Sequence, residues 1–287
     1  MTGRGRSNQT ARPINPPDPS LATRPVPEMR HYAFTSFGPA ATGDAPVTPI
    51  QELERQADYA TFPGDVDLYS VTMDVILNLL KETEAWQSIE NDPTWGYYVF
   101  VIAYSDNART KLFQAMANWV KVVERCLTIE TLPIYTAEAL RRFKFNLIQD
   151  QDTLDGASID RVRAEFRAQI RGLCLREKNG DDEDQENPIS AFLPPARNLA
   201  CFILDEAAID MLAGISNIPD NLLEFLQVFK NKTITVVDGF WDPSRQNPWE
   251  SYRGVGQLAL SGLVEFYTDV TRSANAGAMA DLHPING

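Results

Sequence analysis

The chain has 287 residues and a formal charge of −13, from 26 Lys and Arg against 39 Asp and Glu. That excess repels a phosphate backbone at long range and argues against nucleic acid as a partner. Cys126, Cys174 and Cys201 are too few and too scattered for a disulfide framework or a metal knuckle, and the longest apolar run, residues 97–104, is strand-sized, not membrane-spanning.

Residues 1–49 carry nine prolines, which remove backbone donors and bias their predecessors away from helix, so a flexible proline-rich arm is expected there. Its start has arginines but no continuous apolar stretch of the kind a secretory signal needs. The expected location is therefore intracellular, in the cytoplasm, with no transmembrane association. Through Arg30 the arm holds five arginines against Asp18 and Glu28, a weakly basic lead into an acidic body. It suits a docking segment or a solubilising tail.

A single α/β domain is expected over residues 50–271. PIQELERQADYA reads as a short helix, and Leu68, Val71, Val75, Leu79 and Leu80 mark the apolar face of a longer one that Pro93 ends. WGYYVFVIAYS is aromatic and β-branched, which suits a central strand, and Ser105 or Asp106 can cap the helix after it. Along that helix Leu112, Met116, Trp119, Val120, Val123 and Leu127 form a stripe for a sheet, while Lys111 faces water. FKFNLIQD alternates as a partly exposed strand. DTLDGAS then turns into a helix whose Val162, Phe166 and Ile170 share one face and whose arginines occupy the other, with Ser158 as its cap.

Residues 177–195 contain KNGDDEDQENP and read as an acidic loop or insertion. NLACFILDE is a buried strand pattern, followed by short helices at Glu206 and after Pro219; KTITVVDGFW is a further strand. A helix is expected over residues 256–270, and residues 272–287 form a flexible tail. Strands separated by helices imply an α/β layer. The expected architecture is a ferredoxin-like sandwich with a helical N-terminal addition; the alternative is an open three-layer α/β sheet.

The segments WGYYVFVIAY, IQDQDTLDGASIDRVRAEFRAQI, NLACFILDEAAIDML and ITVVDGFWDP, in this order over roughly residues 95–270, resemble a widespread family of uncharacterised filamentous-fungal proteins. The resemblance implies a fungal origin and a shared domain. It brings no established activity to Asp155, Glu206, Asp238 or any other position.

Little chemistry is spelled out. The two histidines, His31 and His283, flank the expected domain and are poorly placed for a Ser-His-Asp or Cys-His site. Asp150, Asp152 and Asp155 miss EF-hand spacing, and Gly254 and Gly256 lack the rest of a phosphate cradle, so no metal site is assigned. The catalytic candidates are Asp205 and Glu206 after one strand and Asp238 and Asp242 after another. If those strands are adjacent and parallel, the four carboxylates meet at the carboxyl end of the sheet and could perform acid–base chemistry or hold Mg²⁺; no other cofactor is implied. Phe240, Trp241, Trp249 and Tyr252 are binding candidates in a proline-bordered aromatic segment. The favoured function is a non-catalytic module that binds a protein partner or self-associates. The alternative is a carboxylate-based metal-dependent or acid–base enzyme acting on a small molecule.

Overall fold

The uninterrupted run WGYYVFV forms strand β2 (Trp95–Val101), and all seven of its residues are buried. Such a run can be satisfied only by a layer on each face of its sheet. The computed structural model describes residues 31–34, 48–57, 75–84, 94–128, 133–177, 196–241, 252–273 and 283–284; of these, 31–34, 171–177, 272–273 and 283–284 are described by backbone alone.

In chain order the elements are β1 (His31–Phe34), α1 (Ile50–Ala57), α2 (75–84), β2, α3 (Asp106–Thr128), α4 (Pro133–Arg142), β3 (Phe143–Ile148), α5 (Gln151–Leu154), α6 (Ile159–Glu177) and β4 (Ala200–Leu204). Then follow α7 (Glu206–Ala213), α8 (Leu222–Phe229), β5 (Thr233–Asp238), β6 (Val255–Ala259), α9 (Leu263–Ser273) and β7 (His283–Pro284). One open sheet runs β1-β3-β2-β4-β5-β6-β7. β3, β2 and β4 are mutually parallel, with Tyr97 opposite Phe145 and Phe100 opposite Ile203; all the other neighbours are antiparallel.

Alternate β2 side chains go to different helical layers. Trp95 and Tyr97 meet Tyr267 of α9, and Trp119 of α3 packs on Phe145 and Phe202 from the neighbouring strands. Tyr98 and Phe100 meet Phe166 of α6 on the opposite face. These contacts overturn the ferredoxin-like sandwich. That fold leaves one sheet face without helices, whereas β2 and β4 are buried throughout, with α3 and α9 on one side and α6 on the other. The architecture is the open three-layer α/β sheet held as the alternative.

The predicted α3 stripe is buried as expected: Leu112, Met116, Trp119, Val123 and Leu127 are each at most 4 % exposed. Asn118 lies in the same helix, and its side-chain amide donates to Leu212 O, Ala213 O and Ile215 O at 3.0 to 3.2 Å. One residue of α3 thereby ties that helix to three carbonyls at and just beyond the end of α7. α4 was not anticipated. Its buried Glu138 accepts from Arg142 Nε at 2.9 Å and pairs with Arg141, while Arg142 also donates to Thr83 Oγ1 and Thr48 O. Trp95 Nε1 donates to Ala139 O, which ties this helix to the start of β2.

The helix expected over 256–270 is β6 followed by α9. Two glycines, Gly256 and Gly262, weaken a helical start, and Gly256 and Leu258 are buried in alternation with half-buried neighbours. Two short segments from the expected arm and tail are the edge strands: His31–Phe34 pairs with β3 and His283–Pro284 with β6. Most of the acidic insertion, 178–195, lies outside the described residues. Gly96 has φ of +125°, and a Cβ there would sit 1.9 Å from Lys144 O, so this position in β2 accepts only glycine. Among the described residues no helix is long and apolar enough to cross a membrane.

Candidate functional site

The chain leaves β2, runs through α3 and α4 to β3 on one side, and later returns through α6 to β4 on the other side of β2. This reversal of strand order falls between the carboxyl ends of β2 and β4, the place where open α/β sheets generally receive ligands. Ser105 and Asn107 reach it from the β2–α3 junction, and Asp205, Glu206 and Asp210 from the β4–α7 junction.

These side chains are joined to one another. Ser105 Oγ lies 2.7 Å from both oxygens of Glu206, and Asn107 Nδ2 donates to Glu206 Oε1 at 2.8 Å and to Asp210 Oδ1 at 3.1 Å. Lys111 Nζ pairs with Asp210 at 2.7 Å; this hydrogen bond, with that from Asn107, holds the Asp210 carboxyl below its ordinary range. Ser105 Oγ accepts from Ala108 N at 3.0 Å and so caps α3. With that lone pair occupied, its proton is directed at Glu206. Asp205 is engaged differently: its Oδ1 accepts from Ala208 N at 2.8 Å as the cap of α7.

Asp238 is not part of this group. β5 runs antiparallel to β4, with Asp238 opposite Ala200 at the start of β4, whereas Asp205 follows the end of that strand. Five residues of extended chain separate the two levels by about 16 Å. The convergence of carboxylates expected for parallel neighbours therefore fails, and Asp242 lies outside the described residues. Among the described residues no group of three or more His, Cys, Asp or Glu is arranged to hold a metal ion, which leaves the Mg²⁺ expectation without a ligand set there. His31 and His283 fall on the two opposite edge strands.

At its own end of the sheet Asp238 organises the aromatic segment. Its Oδ1 accepts from the amides of Phe240 and Trp241 at 2.8 and 3.1 Å, and the Tyr252 hydroxyl is 3.5 Å from Oδ2. Burial pushes the Asp238 carboxyl up, against the pull of those amides, Arg163 and Tyr252. Arg163, only 5 % exposed, donates to Asp238 O and Gly254 O and lies 5.0 Å from the centre of the Trp241 ring. Arg167 donates to Gly239 O and to Trp241 O. Gly254, at φ of +72°, lets the Trp241 side chain pack where a Cβ would come within 2.3 Å of it.

Thus Phe240, Trp241 and Tyr252 are drawn together, half-buried, and fastened to α6; Trp249 lies outside the described residues. The arginines on the other face of that helix are the fastening. Their four-residue spacing on either side of the inward Phe166 was the available signal. Ser105 was legible as a cap, but Asn107, Lys111 and Asp210 gave no sequence signal, because their meeting depends on β2 and β4 being neighbours. Burial pushes the Cys126 thiol up to about 12, and Cys201, fully buried in β4, also rises, so neither is a ready nucleophile.

Comparison of the chain with protein-family models, with curated proteins and with solved structures finds no match.

Proposed function

We propose that the protein is an acid–base enzyme acting on a small molecule at the carboxyl ends of β2 and β4. The observation that carries this reading is the 2.7 Å contact between Ser105 Oγ and the Glu206 carboxylate at the reversal of strand order. In this reading Glu206 takes the hydroxyl proton as Ser105 Oγ bonds to an electrophilic carbonyl carbon, and the carbonyl electron pair moves onto oxygen. With the Ala108 amide engaged by Ser105 Oγ, the Asp106 and Asn107 amides of the first turn of α3 are left to favour that negative charge. Collapse of the adduct expels the leaving group, which receives the proton back from Glu206; water attacking the acyl-serine completes the cycle with Glu206 again as base.

Treating the full chain with a fluorophosphonate and mapping the adduct by mass spectrometry tests the pair. Modification at Ser105 that falls at least tenfold in Glu206→Gln supports it. A folded wild-type protein left unmodified at Ser105 removes it.

A second reading, a module that binds protein or self-associates, is favoured by a different observation. Leu223, Leu226 and Val228 are 76, 43 and 39 % exposed, all on the eight-residue helix α8. Large apolar side chains grouped in this way mark contact surfaces more often than isolated ones do.

A further inference from the structure

Helix α8 is anchored by one side and open on the other. Phe225 and Phe229 point into the core with ring centres 4.8 Å apart, and Asn221 Oδ1 caps the helix by accepting from Glu224 N. Leu223, Leu226, Gln227 and Lys230 are exposed and recur at three- and four-residue steps, forming a stripe along the outer side, with Glu224 and Val228 beside it. The charges are sorted by end. Asp220 and Glu224 occupy the amino end, Lys230 and Lys232 the carboxyl end, and none of the four has an ion-pair partner among the described residues.

A surface that is negative at one end, positive at the other and apolar between is complementary to itself when turned through a twofold axis. We infer that α8 is the interface of a homodimer in which two copies of the helix pack antiparallel, crossing near Leu226 and Gln227. The arrangement lays Leu223 along the aliphatic stem of the partner's Lys230, brings Glu224 within reach of the same ammonium, and covers Leu226 with its counterpart. Acidic residues at a helix start and basic ones at its end also suit the helix dipole, but that preference does not account for leucines left open between them. The inference rests on the second functional reading and names its partner as another copy of this chain.

Sedimentation velocity of the full-length chain over a wide concentration range reads the association directly, with circular dichroism as the check on folding. The wild type is expected to dimerise. Leu226→Asp should abolish the dimer, and Lys230→Glu should weaken it about tenfold, the size of the two symmetry-related surface charge pairs it removes. The double exchange Glu224→Lys with Lys230→Glu should bring the affinity back to within about threefold of wild type, because in a twofold interface it swaps both ends of each pair. A wild type that stays monomeric at every concentration, a dimer indifferent to Leu226→Asp, or a double exchange no better than the single one overturns the inference. If the monomer instead binds a different, identified protein through Leu223 and Leu226, the second reading survives and the homodimer does not.

Discussion

Asp238 shows how one buried carboxylate can be structural and costly together. Its oxygen holds the amides of Phe240 and Trp241, yet burial raises its proton affinity above that of the unfolded chain. A raised folded-state pKa means that the group's contribution to stability is present below the unfolded value, about 3.9, and is lost as pH rises through the folded value. Near neutrality the charge is therefore a burden. Asp238→Asn keeps an acceptor for both amides without that charge, so its melting temperature at neutral pH should equal or exceed wild type, and its stability should vary less as pH rises from acid to neutral. Asp238→Ala removes the acceptor and should cost about 1–3 kcal/mol. Thermal denaturation across that range compares the three; an Asn variant as unstable as the Ala variant would show that the charge itself is required. Neither effect could be read from sequence, where VVDGFW shows a strand end and an acid but not the antiparallel pairing that carries Asp238 away from Glu206.

At the scale of elements, the pattern was legible where one period dominated. The α3 stripe, the inward face of α6 and the short α7 follow from spacing and caps, since side chains three and four apart must share a face. β6 was hidden because Val255–Ala259 is short and runs directly into helical periodicity, and β1 because its strand character depends on pairing with β3. α4 was obscured for a different reason: its inner side is held by the Glu138–Arg142 pair, each 1 % exposed, where an apolar stripe would be sought. Removing one partner leaves the other charge buried and uncompensated, so Glu138→Ala should cost about 3–5 kcal/mol in urea denaturation, whereas Glu138→Leu with Arg142→Met should cost less than the single change. A double variant as damaged as the single one would argue that the surrounding hydrogen bonds to Thr83 and Thr48, not charge compensation, hold α4 in place.

For the whole molecule, the decisive quantity is burial of β2 and β4 on both faces. The unbroken runs WGYYVFV and ACFIL contained that information, since a sheet with one wet face alternates. Counting strands and helices gave the two-layer expectation instead. Ile203, 4 % exposed in β4, sits inside the closed stack, so Ile203→Asp should remove more than about 4 kcal/mol and with it cooperative unfolding, as followed by circular dichroism. An Asp variant that still melts cooperatively near wild type would mean that β4 is open to water on the α6 side. The same burial leaves chemistry to the margins: the Ser105–Glu206 pair, the Asp238 corner and the outer side of α8 all lie where strands end or helices face outward.

The borders of the sheet bear on how the chain acquires its shape during synthesis. His31–Phe34 leaves the ribosome early, but the strand it pairs with, Phe143–Ile148, is made only after α3 and α4. Until then those four residues have no docking edge, and the core that creates one can assemble without them. Closure of this border is therefore a late event bridging a long loop, which places β1 among the last parts to acquire protection from hydrogen exchange and the first to lose it.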